Sequence, residues 1–139
     1  MVYELILSYV TPRLTSQNWE ERYVAVNCLF LITEGCKKLI RRDLRELAER
    51  VRPLLQDPCK IVKQKASFFF TEVEENIGAA LIEVAPWLIQ DINQLLLSND
   101  PSSIENSLVI LETIGLQYGR THKEEMIMLV VGIGCAYKK

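Results

Sequence analysis

The sequence predicts an all-α protein built from repeated helix pairs, and two interleaved series of residues carry this prediction. Turn-forming residues recur with spacings of 41 and 43 residues, at Ser16, Asp57 and Asp100. Glycines that end helices recur with spacings of 43 and 41 residues, at Gly35, Gly78 and Gly119. Two series that share a period of about 42 residues indicate one helix–turn–helix unit repeated along the chain, which is an α-solenoid.

The first unit is predicted over residues 1–36. Its second helix, from about Trp19 to Glu34, is apolar on nearly every side between Val24 and Ile32. A helix of this kind is expected to be buried on several sides, as an inner helix of a solenoid would be.

The second unit is predicted over residues 41–78. Apolar residues at helical spacing define its first helix: Leu44, Leu47, Ala48, Val51, Leu54 and Leu55. Asp57 and Pro58 then end that helix, and we expect Asp57 to cap the next one. The core stripe of the second helix follows: Val62, Ala66, Phe69, Phe70, Val73 and Ile77. Gly78 is expected to end it in a left-handed conformation.

The third unit is predicted over residues 80–119, with a first helix from about Ala80 to Leu97 that Pro86 kinks. A partial unit over residues 122–139 completes a solenoid of about three and a half helix pairs. Its apolar segment, residues 123–137, shows no clear polar stripe. Terminal repeats normally carry a polar outer face, so we expect either a longer array or self-association through this end.

Composition favours a folded, single-domain intracellular protein over residues 1–139. Hydrophobic residues make up 49% and charged residues 24% of the chain. The four cysteines have no C-x-x-C spacing and His122 is the single histidine, which predicts neither a metal site nor a disulfide framework. We find no secretory signal, and the longest apolar run, about 12 residues, is too short to span a membrane. The predicted location is the cytoplasm, the nucleus or both, with no cofactor.

Charge is strongly segregated along the chain. Residues 37–65 carry ten basic and four acidic residues, whereas the remainder carries six basic and fourteen acidic residues. Such a field can steer an acidic partner, although two solvated helix faces of opposite sign would also explain it. No nucleic-acid-reading motif accompanies the basic residues, so we expect a protein partner rather than nucleic acid.

Five residues are candidates for binding a protein partner: Trp19, Arg22, Lys60, Lys63 and Lys65. Trp19 starts a helix, where it either anchors a partner or packs back on the preceding helix. The three lysines begin a helix whose dipole disfavours cations, which indicates an acidic partner unless Asp57 and nearby acids neutralise them. Because His122 has no Ser or Cys motif to pair with, catalysis is not predicted.

The second turn and the helix after it resemble a HEAT repeat. The residues that carry the resemblance are Asp57-Pro58, then Val62-Lys63 where Val-Arg is usual, then Ala66. The resemblance implies a right-handed HEAT-type superhelix in which an Asp and a basic residue form a ladder between neighbouring repeats. Asp57, Lys63 and Asp100 would take these roles. Ser16 and Asn106 stand where the first Asp and third basic residue belong, so the ladder is incomplete.

A narrower resemblance over residues 18–63 is to the importin-β superfamily. It rests on Asn18-Trp19-x-x-Arg22, Glu34-Gly35-Cys36 and Leu55-Gln56-Asp57-Pro58 at their joint spacing. It implies a segment of a nuclear transport receptor that binds cargo or the Ran GTPase through its inner helices.

Two alternatives remain open on the sequence. The first turn also resembles that of the tubulin-binding TOG domain, which would use Trp19, Arg22, Lys60 and Lys63 on one edge. Its third turn, residues 98–103, is acidic and polar where TOG domains offer cations. A HEAT scaffold subunit of a larger assembly would require the shape alone.

Overall fold

The computed structural model describes residues 2–77 and 84–121, with side chains described over residues 2–77 and 84–113. Within these ranges the chain consists of helices and turns without a β-strand. In chain order the elements are α1 (Val2–Arg13), α2 (Trp19–Ile32), α3 (Lys37–Val51), a 3₁₀ helix (Arg52–Gln56), α4 (Lys60–Ile77), α5 (Leu88–Leu97) and α6 (Pro101–Thr121). The predicted all-α class is confirmed for this part of the chain. None of the described helices combines the length and apolar character needed to cross a membrane.

The second helix of each predicted unit packs against the second helix of the next. Thus α2 packs on α4, and α4 packs on α6. The first helices lie beside them: α1 contacts α2, α5 contacts α6, and both α3 and the 3₁₀ helix contact α4. Helix α4 is therefore the central element of the described fold.

The core is centred on the aromatic side chains of α4. Phe69 and Phe70 are fully buried, as the helical stripe predicts. Their ring centroids lie 5.4 Å apart, and the Phe70 ring meets the Trp87 ring edge to face at 6.1 Å. Edge-to-face aromatic pairs add to the stabilisation from area burial alone. These contacts join the second unit to the segment that precedes α5.

Helix α2 is less enclosed than its sequence predicts. Its all-round apolar stretch led us to expect burial on several sides, yet Leu31 is 66% exposed and Val24 is 41% exposed. The buried side consists of Ala25, Val26 and Leu29. That expectation is wrong for the described residues, because α1 and α4 cover only part of the helix surface.

The third unit differs from its prediction at Pro86. Instead of a kinked helix from Ala80 to Leu97, the chain leaves helical geometry at Ala85 and α5 begins at Leu88. Pro86 has no N–H and disfavours helical geometry at the preceding residue, so a break is the physical outcome. Gly119 was predicted to end a helix, but α6 continues through it to Thr121.

Several predictions fall on residues outside the described ranges. Gly78 and residues 79–83 are among them, as are His122 and the partial unit at 122–139 with its apolar segment. Self-association through that segment therefore stays a prediction. The unit limits proposed from the sequence likewise stay predictions.

A buried carboxyl group on α4 makes stability depend on pH. Glu74 is 5% exposed, and neither carboxyl oxygen has a hydrogen-bond partner in the described part of the chain. Burial raises the pKa of Glu74 from 4.5 to about 7. The folded protein therefore binds this proton more tightly than the unfolded chain, and stability falls as pH rises from about 4.5 to about 7.

We expect Glu74→Gln to stabilise the protein at pH 8 by about 3 kcal/mol, with a much smaller effect at pH 4. Urea unfolding at the two pH values measures the difference. Glu75→Gln is the matched control, since Glu75 is an exposed neighbour. We expect this substitution to change the free energy of unfolding only slightly, and by the same amount at pH 4 and pH 8. Equal effects of Glu74→Gln at the two pH values would contradict the assignment.

Candidate functional site

The first turn and the second turn are joined by a partly buried ion pair. Arg22 on α2 donates from Nε to Asp57 Oδ2 at 2.7 Å and from Nη2 to Asp57 Oδ1 at 3.0 Å. The side chains are 13% and 3% exposed. Arg22 Nη1 also donates to the carbonyl oxygen of Ser16 at 2.9 Å. The Asp57 carboxylate raises the pKa of Arg22, and this bidentate geometry is the strongest form of such a pair.

The same arrangement recurs one unit later. Lys63 on α4 donates from Nζ to Asp100 Oδ2, and also to Ser103 Oγ at 3.1 Å. Lys63 is only 8% exposed. Its ammonium group, with the Ser103 hydroxyl, lowers the pKa of Asp100 to about 2. The ladder roles implied for Asp57, Lys63 and Asp100 are thus present as contacts, with Arg22 as the first basic member.

Capping differs between the two turns. Asp57 accepts from the backbone N–H of Cys59 at 2.8 Å, which closes the turn before α4 starts at Lys60. It was predicted to cap α4 itself, and its contact lies just outside that helix. Asp100 accepts from the N–H of Ser102 at 3.2 Å, inside the first turn of α6. The two turns therefore share the ion pair but differ in where each helix begins.

Asn106 stands one repeat period after Lys63, where the resemblance implies a third basic residue. Asn106 is 4% exposed, and its Nδ2 has no hydrogen-bond partner in the described part of the chain. A buried donor without a partner costs free energy. The series Arg22, Lys63, Asn106 thus places two cations and one neutral amide at equivalent positions.

The structure separates the five predicted binding residues into two groups. The charged groups of Arg22 and Lys63 are used inside the chain, in the two ion pairs. Trp19 and Lys60 are exposed and Lys65 is half-buried. Sequence spacing alone could not separate the groups, because a ladder cation and a surface cation both occupy the start of a helix.

An apolar groove lies between the beginnings of α2 and α4. Trp19 is 41% exposed and Ile61 is 50% exposed, and both line a cavity of about 350 Å³. Tyr23 and Val24 line its α2 side, with Glu20 at the rim. Asn18 begins α2 by accepting from the N–H of Glu20 at 2.9 Å, which places Trp19 in the first turn. Trp19 is thus partly exposed, and its role as an anchor for a partner stays a prediction.

A basic side chain flanks this groove on α4, since Lys60 is exposed beside Ile61. Lys65 lies one turn further along α4, with Nζ 4.6 Å from the centre of the Phe30 ring and 5.5 Å from that of Phe68, and it does not line the groove. Cation–π contacts hold its ammonium group over these two rings. The result is a mixed surface on α2 and α4, the second helices of the first two predicted units. It is here called the B-helix surface and is formed by Trp19, Tyr23, Ile61 and Lys60.

Sequence reasoning missed Ile61, although a signal was present. Ile61 lies off the core stripe of α4, next to the buried Val62, so an apolar residue stands there on the solvent side. A single apolar residue on a helix surface is common, and Ile61 points to a contact surface only because it lines the same groove as Trp19.

It also missed a second set of contacts between units. Arg52 donates from Nε to Asp91 Oδ2 at 2.8 Å and stacks over the Trp87 ring at 4.5 Å. Trp87 Nε1 donates to Glu49 Oε1 at 2.7 Å. The only signal was a charge pair separated by about one repeat period, and many such pairs exist in this sequence.

The described ranges contain no group of three or more His, Cys, Asp or Glu side chains that could hold a metal ion. Cys28, Cys36 and Cys59 are free thiols. The fourth cysteine, Cys135, lies outside the described residues.

Part of the chain is similar to a protein named probable importin-5 homolog from Dictyostelium discoideum. The two are 34% identical over 56 residues, which is 40% of this chain and 5% of that protein. The chain thus spans a small fraction of that relative's length. No protein-family model matches the chain, and no solved structure matches it.

This similarity agrees with the resemblance to the importin-β superfamily seen in the sequence.

The positions of two side chains are relevant to the tubulin-binding alternative. That alternative uses four side chains on one edge, including Arg22 and Lys63. Both are committed to ion pairs in the described structure. Trp19 and Lys60 are the two that remain exposed.

Proposed function

We propose that this chain is a non-enzymatic protein-interaction scaffold, a segment of an importin-β-like nuclear transport receptor. Its B-helix surface would bind the partner, either cargo or the Ran GTPase. The observation that carries the proposal is the apolar groove at Trp19 and Ile61, because exposed aromatic and aliphatic side chains beside cations are typical of binding hot spots. Such a function requires no cofactor and places the protein in the cytoplasm, the nucleus or both.

The right-handed HEAT-type solenoid is part of this proposal. It is supported by the packing of α2 on α4 and of α4 on α6, which links consecutive units in chain order. Two ion pairs at equivalent turns support it as well: Arg22 with Asp57, and Lys63 with Asp100. In a solenoid each unit contacts only its neighbours, and the array binds through many modest contacts along one surface.

The similarity to the probable importin-5 homolog supports the transport-receptor assignment over a general scaffold subunit. A purely structural scaffold would have no need of an exposed tryptophan next to an exposed isoleucine at the start of two packed helices. The tubulin-binding alternative is less well supported, because it requires the Arg22 and Lys63 cations to be free.

The test is binding of the full chain to Ran loaded with GTP, with GDP-loaded Ran and αβ-tubulin measured beside it. We expect binding to the GTP form, and Trp19→Ala should weaken it about 30-fold, since a hot-spot residue contributes at least about 2 kcal/mol. Ile61→Asp should weaken it similarly by placing a carboxylate in the groove. Biolayer interferometry gives the affinities and circular dichroism checks the fold of each variant.

Leu5→Asp is the matched control, because Leu5 is 71% exposed on α1, away from the groove. We expect this variant to bind as the unmodified chain does. Binding to tubulin that depends on Trp19 would replace the transport-receptor proposal. Equal losses in Leu5→Asp and Ile61→Asp would remove the groove from the binding surface.

A further inference from the structure

Helix α3 carries a second exposed surface, which is positively charged and is separate from the B-helix surface. Four cations lie in its first nine residues without an acidic side chain within 4 Å in the described part of the chain: Lys37, Lys38, Arg41 and Arg45. All four side chains are exposed. The other arginines of this helix, Arg42 and Arg50, are paired with Asp43 and Glu46 at 3.0 Å each. The cations of α3 therefore form two sets, one paired with carboxylates and one without a carboxylate within 4 Å in the described part of the chain.

The four cations share one side of the helix. At 3.6 residues per turn they fall within an arc of about 100°. Lys37, Arg41 and Arg45 follow each other at intervals of four residues, so their backbone positions rise by about 6 Å per step along the axis. The buried residues of α3, including Ile40, Leu44 and Leu47, occupy the adjacent side. This group, here called the α3 basic face, thus presents a row of positive charge to solvent.

The beginning of α3 is arranged at a local cost. Its first turn contains no acidic residue, and Cys36 at the N-cap provides no side-chain hydrogen bond. Cations near a helix N-terminus oppose the helix dipole, and the first N–H groups lack partners within the helix. Both features add to the positive potential at Lys37 and Lys38. An incoming carboxylate would relieve both.

The surface is also concave at this point. A cavity of about 550 Å³ opens beside the start of α3 and is lined by residues 34–39. A Cβ placed on Gly35 would meet no atom within 4 Å, so the loop leaves open space there. Glu34 also lines the cavity, but the salt bridges found in the described residues do not include it. A side chain from a partner can therefore approach Lys37 and Lys38 without a rearrangement of the backbone.

The α3 basic face lies apart from the B-helix surface. Trp19 starts α2, whereas Lys37 follows the other end of the same helix. A 14-residue helix is about 20 Å long, so the two surfaces lie at opposite ends of α2. A partner segment at one surface does not occupy the other.

We propose that the α3 basic face binds an acidic segment of a partner protein, rich in Asp or Glu. Arginine forks match carboxylates in paired hydrogen bonds, and a row spaced by one helical turn suits a run of carboxylates. Nucleic acid fits less well, because residues 37–52 contain no aromatic side chain on which a base can stack.

The test uses the full chain and a fluorescein-labelled oligoglutamate peptide, with fluorescence anisotropy as the readout. We expect Arg41→Glu/Arg45→Glu to lower the affinity by about tenfold or more. Arg42→Glu/Arg50→Glu is the matched control, with the same change in net charge on the same helix, and should lower it by less than about threefold. The measurement is made near 0.15 M salt, where charges more than about 8 Å apart are largely screened.

Three outcomes would overturn the proposal. The first is an equal loss in the two double variants, which would make binding a general effect of net charge. The second is tighter binding to a DNA duplex of matched charge than to the peptide. The third is concentration-dependent self-association that the Arg41→Glu/Arg45→Glu change abolishes, which would make a second copy the partner. Trp19→Ala should leave peptide binding unchanged, so this result is separable from the test of the B-helix surface.

Discussion

We expect Asp57→Ala to lower the free energy of unfolding by about 3 kcal/mol, the lower end of the cost of breaking a buried ion pair. The change removes the carboxylate that binds Arg22 in a pair whose side chains are 13% and 3% exposed. Without its partner, Arg22 would keep only its hydrogen bond to the Ser16 carbonyl, and an uncompensated charge in a partly buried site is costly. The hydrogen bond from the Cys59 N–H is lost as well. Urea denaturation monitored by circular dichroism measures the effect.

Two variants make this result specific to the ion pair. Glu46→Ala removes a carboxylate that is 69% exposed and paired with Arg50, and should cost less than about 1 kcal/mol. Arg22→Ala/Asp57→Ala should destabilise by less than the sum of its two single changes, because neither charge is then left alone. A loss below about 1 kcal/mol in Asp57→Ala would show that the pair does not join the first two units energetically.

We expect Phe70→Ala to destabilise the protein by about 3–5 kcal/mol through the cavity it leaves. Phe70 is fully buried and its ring contacts both the Phe69 and Trp87 rings. Truncation removes the transfer free energy of the ring and both edge-to-face contacts. Since Trp87 precedes α5, the change should also loosen the contact between the second and third units.

Phe68→Ala is the control, because it removes an identical side chain two positions away in the same helix. Phe68 is half-buried. Its loss should therefore cost about 1 kcal/mol, in proportion to the smaller area it removes from water. Thermal unfolding of both variants, with near-ultraviolet circular dichroism of the Trp87 environment, separates them. Equal losses for the two changes would contradict the assignment of Phe70 to the core.

The period of the sequence accounts for much of the fold. Turn-forming residues and apolar stripes recur along the sequence, and this recurrence can be recognised without knowing which helices are in contact. Thus the start of α2 at Trp19 and the burial of Phe69 and Phe70 agree with the sequence prediction. Two predictions that relied on the repeat period were wrong, each because of the properties of one residue. Pro86 interrupts a helix, while Gly119 is tolerated inside one because a glycine permits helical geometry at a modest cost.

The candidate site was less accessible to sequence reasoning. Trp19, Arg22, Lys60, Lys63 and Lys65 were chosen by residue type and position near a turn. Arg22 and Lys63 proved to be internal, because each reaches a carboxylate that lies 35 or 37 residues further along the chain. Ile61, which the sequence prediction omitted, completes the apolar groove with Trp19.

For this protein, the sequence by itself determined the helical class, the turns before α2, α4 and α6 and the apolar stripes that form the core. These depend on spacing along the chain, which backbone geometry converts directly into faces of a helix. Only the tertiary structure decided which cations are paired and which face solvent. That distinction depends on distances of a few ångströms between residues about one repeat apart, and equal residue types at equal spacing do not encode it. The tertiary structure was needed for the α3 basic face as well, because only interatomic distances show that its four cations have no carboxylate within 4 Å in the described part of the chain.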